Sequence, residues 1–523
     1  MDIIKFLAAN ELPYRGDTIA VDSDDEHPCG LFLNLFDFTV KKDAQLAEIL
    51  PSIPKIAKYN SPDIQNEIIQ LLATMVREKI MEKYEAADIE LYTIKVDGTR
   101  DLRGVENISV AIRFVSSGKP MEHLLCISKT IALDAEALTN VILKSLQEAK
   151  LDPKNIISQC YDGAAVMSGN KGGVQRLLQD RIMKEIPYIH CFNHKLHLVV
   201  MSAVSECKQV ADYYTICGKL YAFFGKPNVA AVYEGEKLKR LLEHRWTGHL
   251  MATRTVLNNY EDILEVLKLC ANRNSQFSAD TQVDAVGLLV RVDDVEFRFI
   301  TELMHLLLTI LEPANAILQG AAMDLCAACD VVEAVGERIR ALRSEEEFIA
   351  FFRKFEVDIQ VQPEPKRRQI QTNTHLADFV VMSSVGHKND STFPKSSAYK
   401  QLFFGVIDRV VQELSNRFNH SNRQLFQSLA CLKVGHTMFL NTEDLKPLAS
   451  LCGVDVVSSQ HEFETAKQFL VKKYAASIIP IHQLVHELHA FRQAFPSVYR
   501  LAASALVFLL HFESPWLILV RRT

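Results

Sequence analysis

Several protein classes are excluded by what this 523-residue chain has little of. It has only 11 cysteines, too few for a disulfide-dense secreted scaffold. They stand at Cys29, Cys126, Cys160, Cys191, Cys207, Cys217, Cys270, Cys326, Cys329, Cys431 and Cys452, mostly in apolar runs. Reduced, buried thiols are expected. With 20 glycines and 17 prolines, collagen-like and low-complexity readings fail. Positive charge is not in excess: 58 Lys and Arg stand against 64 Asp and Glu, a formal net charge of −6. No global basic field therefore draws the protein to nucleic acid, and a nucleic-acid role must rest on a local basic face or on another module. The longest apolar stretch, Leu501 to Leu510, is short of the roughly 20 residues that span a bilayer. The amino end, MDIIKFLAANELPYRGD, carries acids and no sustained apolar run, unlike a signal peptide. An intracellular protein, nuclear or cytoplasmic and without a membrane partner, is expected.

What is present is ordinary globular material, 48% hydrophobic and 23% charged, enough for three or four lobes at roughly 150 residues each. Residues 1–87 read as a helical region, with a loop at Pro13–Gly30 and an apolar helical pattern at Asp63–Ala86 through Ile64, Ile68, Leu71, Leu72, Met75, Ile80 and Met81. The period then changes. Ile89–Val96, Ile108–Val115 and Leu124–Ile131 are rich in β-branched and aromatic residues and bounded by turn-prone pairs, Asp97-Gly98 and Ser117-Gly118, predicting an antiparallel meander. A helix at Ala135–Glu148, a strand at Ile156–Tyr161, a helix near Val174–Lys184, a strand at Ile186–Cys191 and a helix from Asn193 follow.

The order β-β-β-α-β-α-β-α predicts an α/β core over 88–255: a mixed five-stranded sheet with helices on its faces, three antiparallel strands followed by right-handed crossovers. That is the ribonuclease-H-like arrangement. An all-helical insertion with its linker is expected over 256–397, a carboxyl-terminal helical part rejoining the core over 398–506, and a divergent tail over 507–523.

Two carboxylates draw attention because each is expected to end a strand, Asp97 in KVDGTRD and Asp162 in QCYDGAAVMSG. In this topology the first and fourth strands are neighbours, so both acids would project at one sheet edge, where α/β folds place ligands. Carboxylate oxygens suit Mg²⁺ or Mn²⁺, and two such ions about 4 Å apart clamp the attacking and leaving oxygens of a phosphoryl displacement. A lone strand-end Asp, by contrast, commonly caps a turn.

The segments VDGTRD, SVAIRFV, YDGAAVMSGNKGGVQ, YIHCFNHKLHL and HRWTGHL occur in the order and spacing of hAT-superfamily transposases. With LPYRGD…CGLFLNL and VIDRVVQELSNRF, the chain resembles the domesticated MYM-type zinc-finger / repressor-of-the-inhibitor-of-the-protein-kinase branch over most of residues 1–506. The resemblance implies a ribonuclease-H-like core interrupted by a helical insertion, with a D-D-E metal site for DNA strand transfer. Asp97 and Asp162 match the first two acids. The family's third acid follows a Phe-Pro-x-x-Tyr-Arg-Leu segment in a run like SSASER. Here Phe495-Pro496-Ser497-Val498-Tyr499-Arg500-Leu501 is followed by ASALVFLLHFESPWLILVRRT, without such a run and without the dimerisation helices expected beyond it. Neither Glu513, in FESPW, nor Glu413, expected to be a solvated helix acid, is a good substitute. The expectation is a catalytically incomplete pair.

Cys191 and His194 have C-x₂-H spacing without a second ligand pair, so no zinc is predicted. In the family this motif lies near the acids, which makes His194 a candidate nucleic-acid contact. Cys326-x₂-Cys329 reads as core thiols. Arg245-Trp246 matches the family's Arg-Trp motif, whose aromatic stacks on a flipped base; a Trp packed at the junction of core and insertion is the alternative. Gly163, Gly169, Gly172 and Gly173 lack phosphate-loop spacing and read as turn residues. Lys366-Arg367-Arg368 reads as a solvated linker. Three functions follow: a decayed transposase keeping DNA or protein contacts, an active metal-dependent transposase with a third acid elsewhere, or a helical protein-binding scaffold.

Overall fold

The β-branched and aromatic runs pair into one sheet of β1 (Tyr92–Arg100), β2 (Glu106–Ser116), β3 (Lys119–Thr130), β4 (Ile156–Tyr161) and β5 (Tyr188–His190), in the order β3-β2-β1-β4-β5. The first three strands are antiparallel, and β1–β4 and β4–β5 are parallel. The ribonuclease-H-like α/β class stands as expected. The computed structural model describes residues 1–15, 30–54, 58–100, 104–241, 246–273, 276–318, 325–356, 395–418, 423–474 and 479–508; at 99, 100, 325–327, 395 and 423 it describes backbone alone.

Successive strand residues point to opposite faces, and here the faces differ in kind. Tyr92, Ile94 and Val96 of β1 join Ile108, Val110, Ile112 and Phe114 of β2 in the main apolar core. Leu138, Ile142 and Leu146 of helix Ala135–Glu148, Leu178 of helix Val174–Ile182 and Ile80 of helix Pro62–Glu85 complete that core. Burying such side chains contributes about 1.5–3 kcal/mol each. The alternate residues Thr93, Lys95, Ser109, Arg113, Ser158 and Cys160 form a polar face that is nonetheless buried.

Helix Pro496–Val507 packs on β2 and β1. Ala502, Ala503, Ser504 and Ala505 are all buried, and their small side chains let the helix backbone approach the strands. Polar contacts fasten it: Arg113 Nε donates to Leu506 O at 2.8 Å, Tyr499 OH to Asp88 Oδ2 at 2.8 Å, and the Arg500 fork to both Glu90 oxygens at 2.6 and 3.0 Å. Burial lowers the Arg113 pKa, with nearby Glu122 opposing the shift. Glu122 itself pairs with the Lys95 ammonium, and Lys95 is only 2% exposed. The residue beside Lys95 in the β2 ladder is Ala111, small enough for the lysine to cross β2 and reach β3.

The described chain divides into two compact units. One comprises Met1–Cys191, Ala321–Cys326 and Asn422–Thr523; the other comprises Phe192–Gly320 and Ala327–Ser421. Every described element of the second unit is a helix. Phe299, Phe351, Phe355 and Phe403 cluster there, with the Phe299 and Phe351 rings 5.1 Å apart edge-on.

Three local expectations need correction. β1 starts at Tyr92 rather than Ile89 and runs through Asp97-Gly98 to Arg100, because β2 continues the antiparallel ladder from Asp97↔Ser109 to Arg100↔Glu106. A ladder partner thus overrides the turn preference of Asp-Gly. β3 starts at Lys119, directly after the Ser117-Gly118 turn. The apolar pattern of helix Pro62–Glu85 is only partly used: Ile80 is buried, whereas Leu71 and Met75 are exposed.

Replacing Arg113 with Met keeps much of the side-chain volume but leaves the Leu506 carbonyl without its donor. The expected cost is about 1–3 kcal/mol in urea unfolding. An unchanged midpoint would show that this bond does not help hold the helix on the sheet.

Candidate functional site

The register of β1 against β4 bears on the two candidate acids. Thr93 pairs with Ser158 and Lys95 with Cys160 across the parallel β1–β4 ladder. The Thr93–Ser158 offset is 65 residues, and their hydroxyls hydrogen-bond at 2.5 Å. Asp97 and Asp162 lie two residues beyond the last paired position of each strand, at the same offset, so a continued alternation would bring both acids to the polar face. Their settings differ. Asp97 is half-buried inside β1, with its backbone carbonyl accepting from Ser109 Oγ at 3.2 Å. Asp162 lies one residue past β4, and its Oδ1 accepts from Ala164 N–H at 3.3 Å in the turn before helix Ala165–Ser168. The Tyr188 hydroxyl donates to the Asp162 carbonyl at 2.9 Å.

This neighbourhood is rich in titratable groups. Cys160 and Cys191 pack together in a small buried cluster. Burial drives the Cys160 thiol pKa up, with Cys191 adding to the shift, Lys95 opposing it, and Glu122 and Asp97 adding smaller contributions. The Cys160 sulfur is therefore a neutral thiol at neutral pH. The Tyr188 phenol is likewise raised, chiefly by burial and further by Cys160 and Asp162.

Sequence reasoning passed over the contribution of His190. It sits on β5 opposite Tyr161, and its ring lies against Gly163, where an added Cβ would stand 2.3 Å from His190 Cε1. The available signal was the glycine directly after Asp162, which reads as a turn residue and also makes room for an imidazole beside the acid.

Two carboxylates are hard oxygen donors that suit a single Mg²⁺ or Mn²⁺. Among the described residues no group of three or more His, Cys, Asp or Glu is placed to hold a metal. Helix Pro496–Val507, which packs on β1 and β2, carries no acid in PSVYRLAASALV.

The remaining candidates belong to the second unit or lie outside the described residues. His194 is half-buried in the first turn of helix Phe192–Glu206, with its ring 6.1 Å from that of His197. Trp246 begins helix Trp246–Asn258 and is 2% exposed, so a base could stack on it only if the ring were uncovered. Arg245, Glu513 and Lys366-Arg367-Arg368 lie outside the described residues, as does the Cys326 side chain. Glu413 corrects its expectation as a solvated acid. It is 6% exposed and ion-paired with Arg409 at 3.1 Å and Arg417 at 2.7 Å, while Arg409 Nε donates to Ser202 at 3.0 Å. A helix acid flanked by arginines four residues either side can be buried because both neighbours neutralise it.

Two substitutions test these placements. Gly163→Ala should cost about 1–3 kcal/mol through overpacking against His190, whereas Gly172→Ala, with nothing within 4 Å of the added Cβ, should stay within about 0.5 kcal/mol. Equal effects in thermal unfolding would contradict the His190 placement. Glu413→Ala removes the acid shared by Arg409 and Arg417, leaving Arg409 its pair with Glu206 but Arg417 without one among the described residues, and should cost about 3 kcal/mol in the same measurement; a change below about 0.5 kcal/mol would make the pairs inconsequential.

Comparison with known proteins agrees with the motif reading. Residues 1–173 match the family model described as ZMYM1/FAM200, RNase-like domain (DUF4371). The chain is similar to the human 52 kDa repressor of the inhibitor of the protein kinase, with 21% identity over 461 residues, covering 82% of this chain and 54% of that protein. The mouse protein of the same name is 20% identical over 465 residues, with the same coverage of each. The chain thus spans about half the length of these relatives. The resemblance to a domesticated, transposase-like family stands on these matches together with the ordered motifs.

Proposed function

We propose that this chain is a transposase-derived interaction protein, intracellular and nuclear or cytoplasmic, that contacts DNA or protein partners without performing strand transfer. One observation supports the reading: β1 and β4 pair up to Lys95↔Cys160, two residues short of Asp97 and Asp162, while helix Pro496–Val507, packed on β1 and β2, carries no carboxylate. When bound, Mg²⁺ or Mn²⁺ would act as a Lewis acid on a phosphate oxygen. The protein's own share is limited to presenting two carboxylates and walling the site with Tyr188 and His190. With no third acid placed to position a second ion among the described residues, a two-metal reaction would lose orders of magnitude in rate.

His194 and the Arg245-Trp246 segment are the proposed nucleic-acid contacts, carried over from the family pattern. With a net charge of −6, binding should depend on such local contacts and weaken as salt rises. The repressor named among the relatives is consistent with a role in binding rather than cutting.

The test is a nicking assay on duplex DNA with Mg²⁺ or Mn²⁺, run beside Asp97→Ala and Asp162→Ala and paired with anisotropy binding across a salt series. The expected result is salt-sensitive binding with no metal-dependent nicking in any of the three proteins. Cleavage abolished by both substitutions would establish an active transposase instead. Absence of DNA binding at low salt would leave the protein-binding scaffold.

A further inference from the structure

The second unit carries a groove that none of its own described residues fills. Helix Lys208–Phe224 and helix Ala279–Val292 pack side by side, and between them lies a cleft of about 660 Å³. Its apolar lining includes Ile216, Phe223, Val283 and Leu288. Beside the cleft, helix Ala279–Val292 carries an exposed apolar stripe that starts at the lining residue Val283. Val283 is 71% exposed and Val290 69%, with Val286 also exposed, at the spacing that aligns side chains along one stripe.

Gly287 lies among these valines inside the helix, and an added Cβ there would meet nothing within 4 Å. A mid-helix glycine costs about 1 kcal/mol relative to alanine. No described contact explains its presence, whereas close approach of another backbone would.

Charge selects the partner. Lys226 pairs with Asp284 at 2.7 Å and so neutralises one end. The other charged lining residues are Lys219, Arg291 and Asp212. Neither Lys219 nor Arg291 forms a direct ion pair among the described residues, though Glu296 lies near enough to Arg291 to interact with it, and the lining holds three basic side chains against two acidic ones. The groove therefore keeps a positive excess on a chain that is negative overall.

We propose that this groove docks an acidic amphipathic helix from a partner protein. Its apolar side would lie along Val283 and Gly287 of the cleft and reach Val290 on the adjoining stripe, and its carboxylates would face Lys219 and Arg291. Helix-in-groove recognition uses this combination of apolar anchors and flanking charge.

The probe is a synthetic fluorescent peptide of about 18 residues, with leucines on one helical face and glutamates on the other. A control keeps the leucines and replaces every glutamate with lysine. Anisotropy is measured on the full chain. The acidic peptide should bind and the basic one should not. Gly287→Leu, which fills the groove from a position with free space, should weaken binding at least tenfold, as should Lys219→Glu combined with Arg291→Glu. Circular dichroism of each variant checks that the helices persist. Equal binding of both peptides, or no loss with folded Gly287→Leu, would overturn the proposal. Concentration-dependent dimerisation abolished by Val290→Glu would instead assign the groove to a second copy. Single-stranded DNA binding lost with the same variant would assign it to nucleic acid. None of these outcomes depends on whether Asp97 and Asp162 support cleavage.

Discussion

The parallel pairing of β1 with β4 is the constraint on which the architecture turns. On one side of it lies a meander built by short turns; on the other lie strands reached through helical crossovers. Parallel neighbours cannot be joined by a tight turn, so this pairing must be made across 65 residues, and the Thr93–Ser158 hydroxyl contact marks its register. A slip of one residue would turn Asp162 to the apolar face and expose its neighbours in the core. The same register decides whether two acids distant in sequence form a pair.

The sheet also shows how buried polarity can be tolerated. Lys95, Arg113 and Glu122 lie on the face covered in part by helix Pro496–Val507, and each charge has an opposite charge or a carbonyl nearby. Hydrophobic residues there would pack as well. Arg113, however, captures a backbone carbonyl 393 residues away in sequence, which ties the last described helix to the second strand. The fastening at Asp88 and Glu90 does the same at the entrance to β1. These contacts join segments separated by the whole second unit, so the core is completed only when the late part of the chain has returned.

Much of the core was legible locally. Helix Ala135–Glu148 and β4 fall where periodicity and composition placed them, because a capping Asp134 and a wholly buried apolar run are signals contained in a few adjacent residues. Strand ends were less legible. Asp97-Gly98 carries a turn signature, yet it lies inside β1 because a neighbouring strand offers it hydrogen bonds. The burial of Glu413 was hidden for a similar reason: spacing reveals the two flanking arginines but not that the helix face they share turns inward.

The candidate site divides along the same line. Local sequence determined the residue types, the strands that carry them, the turn after Asp162, and the absence of an acid in the Pro496–Val507 segment. Tertiary structure alone decided the Thr93–Ser158 and Lys95–Cys160 register that leads to Asp97 and Asp162, that His190 lies on Gly163, and that Trp246 is covered. Propensity and periodicity act over one or two turns of chain, whereas register, facing and burial are set by partners that become neighbours only once the sheet has formed.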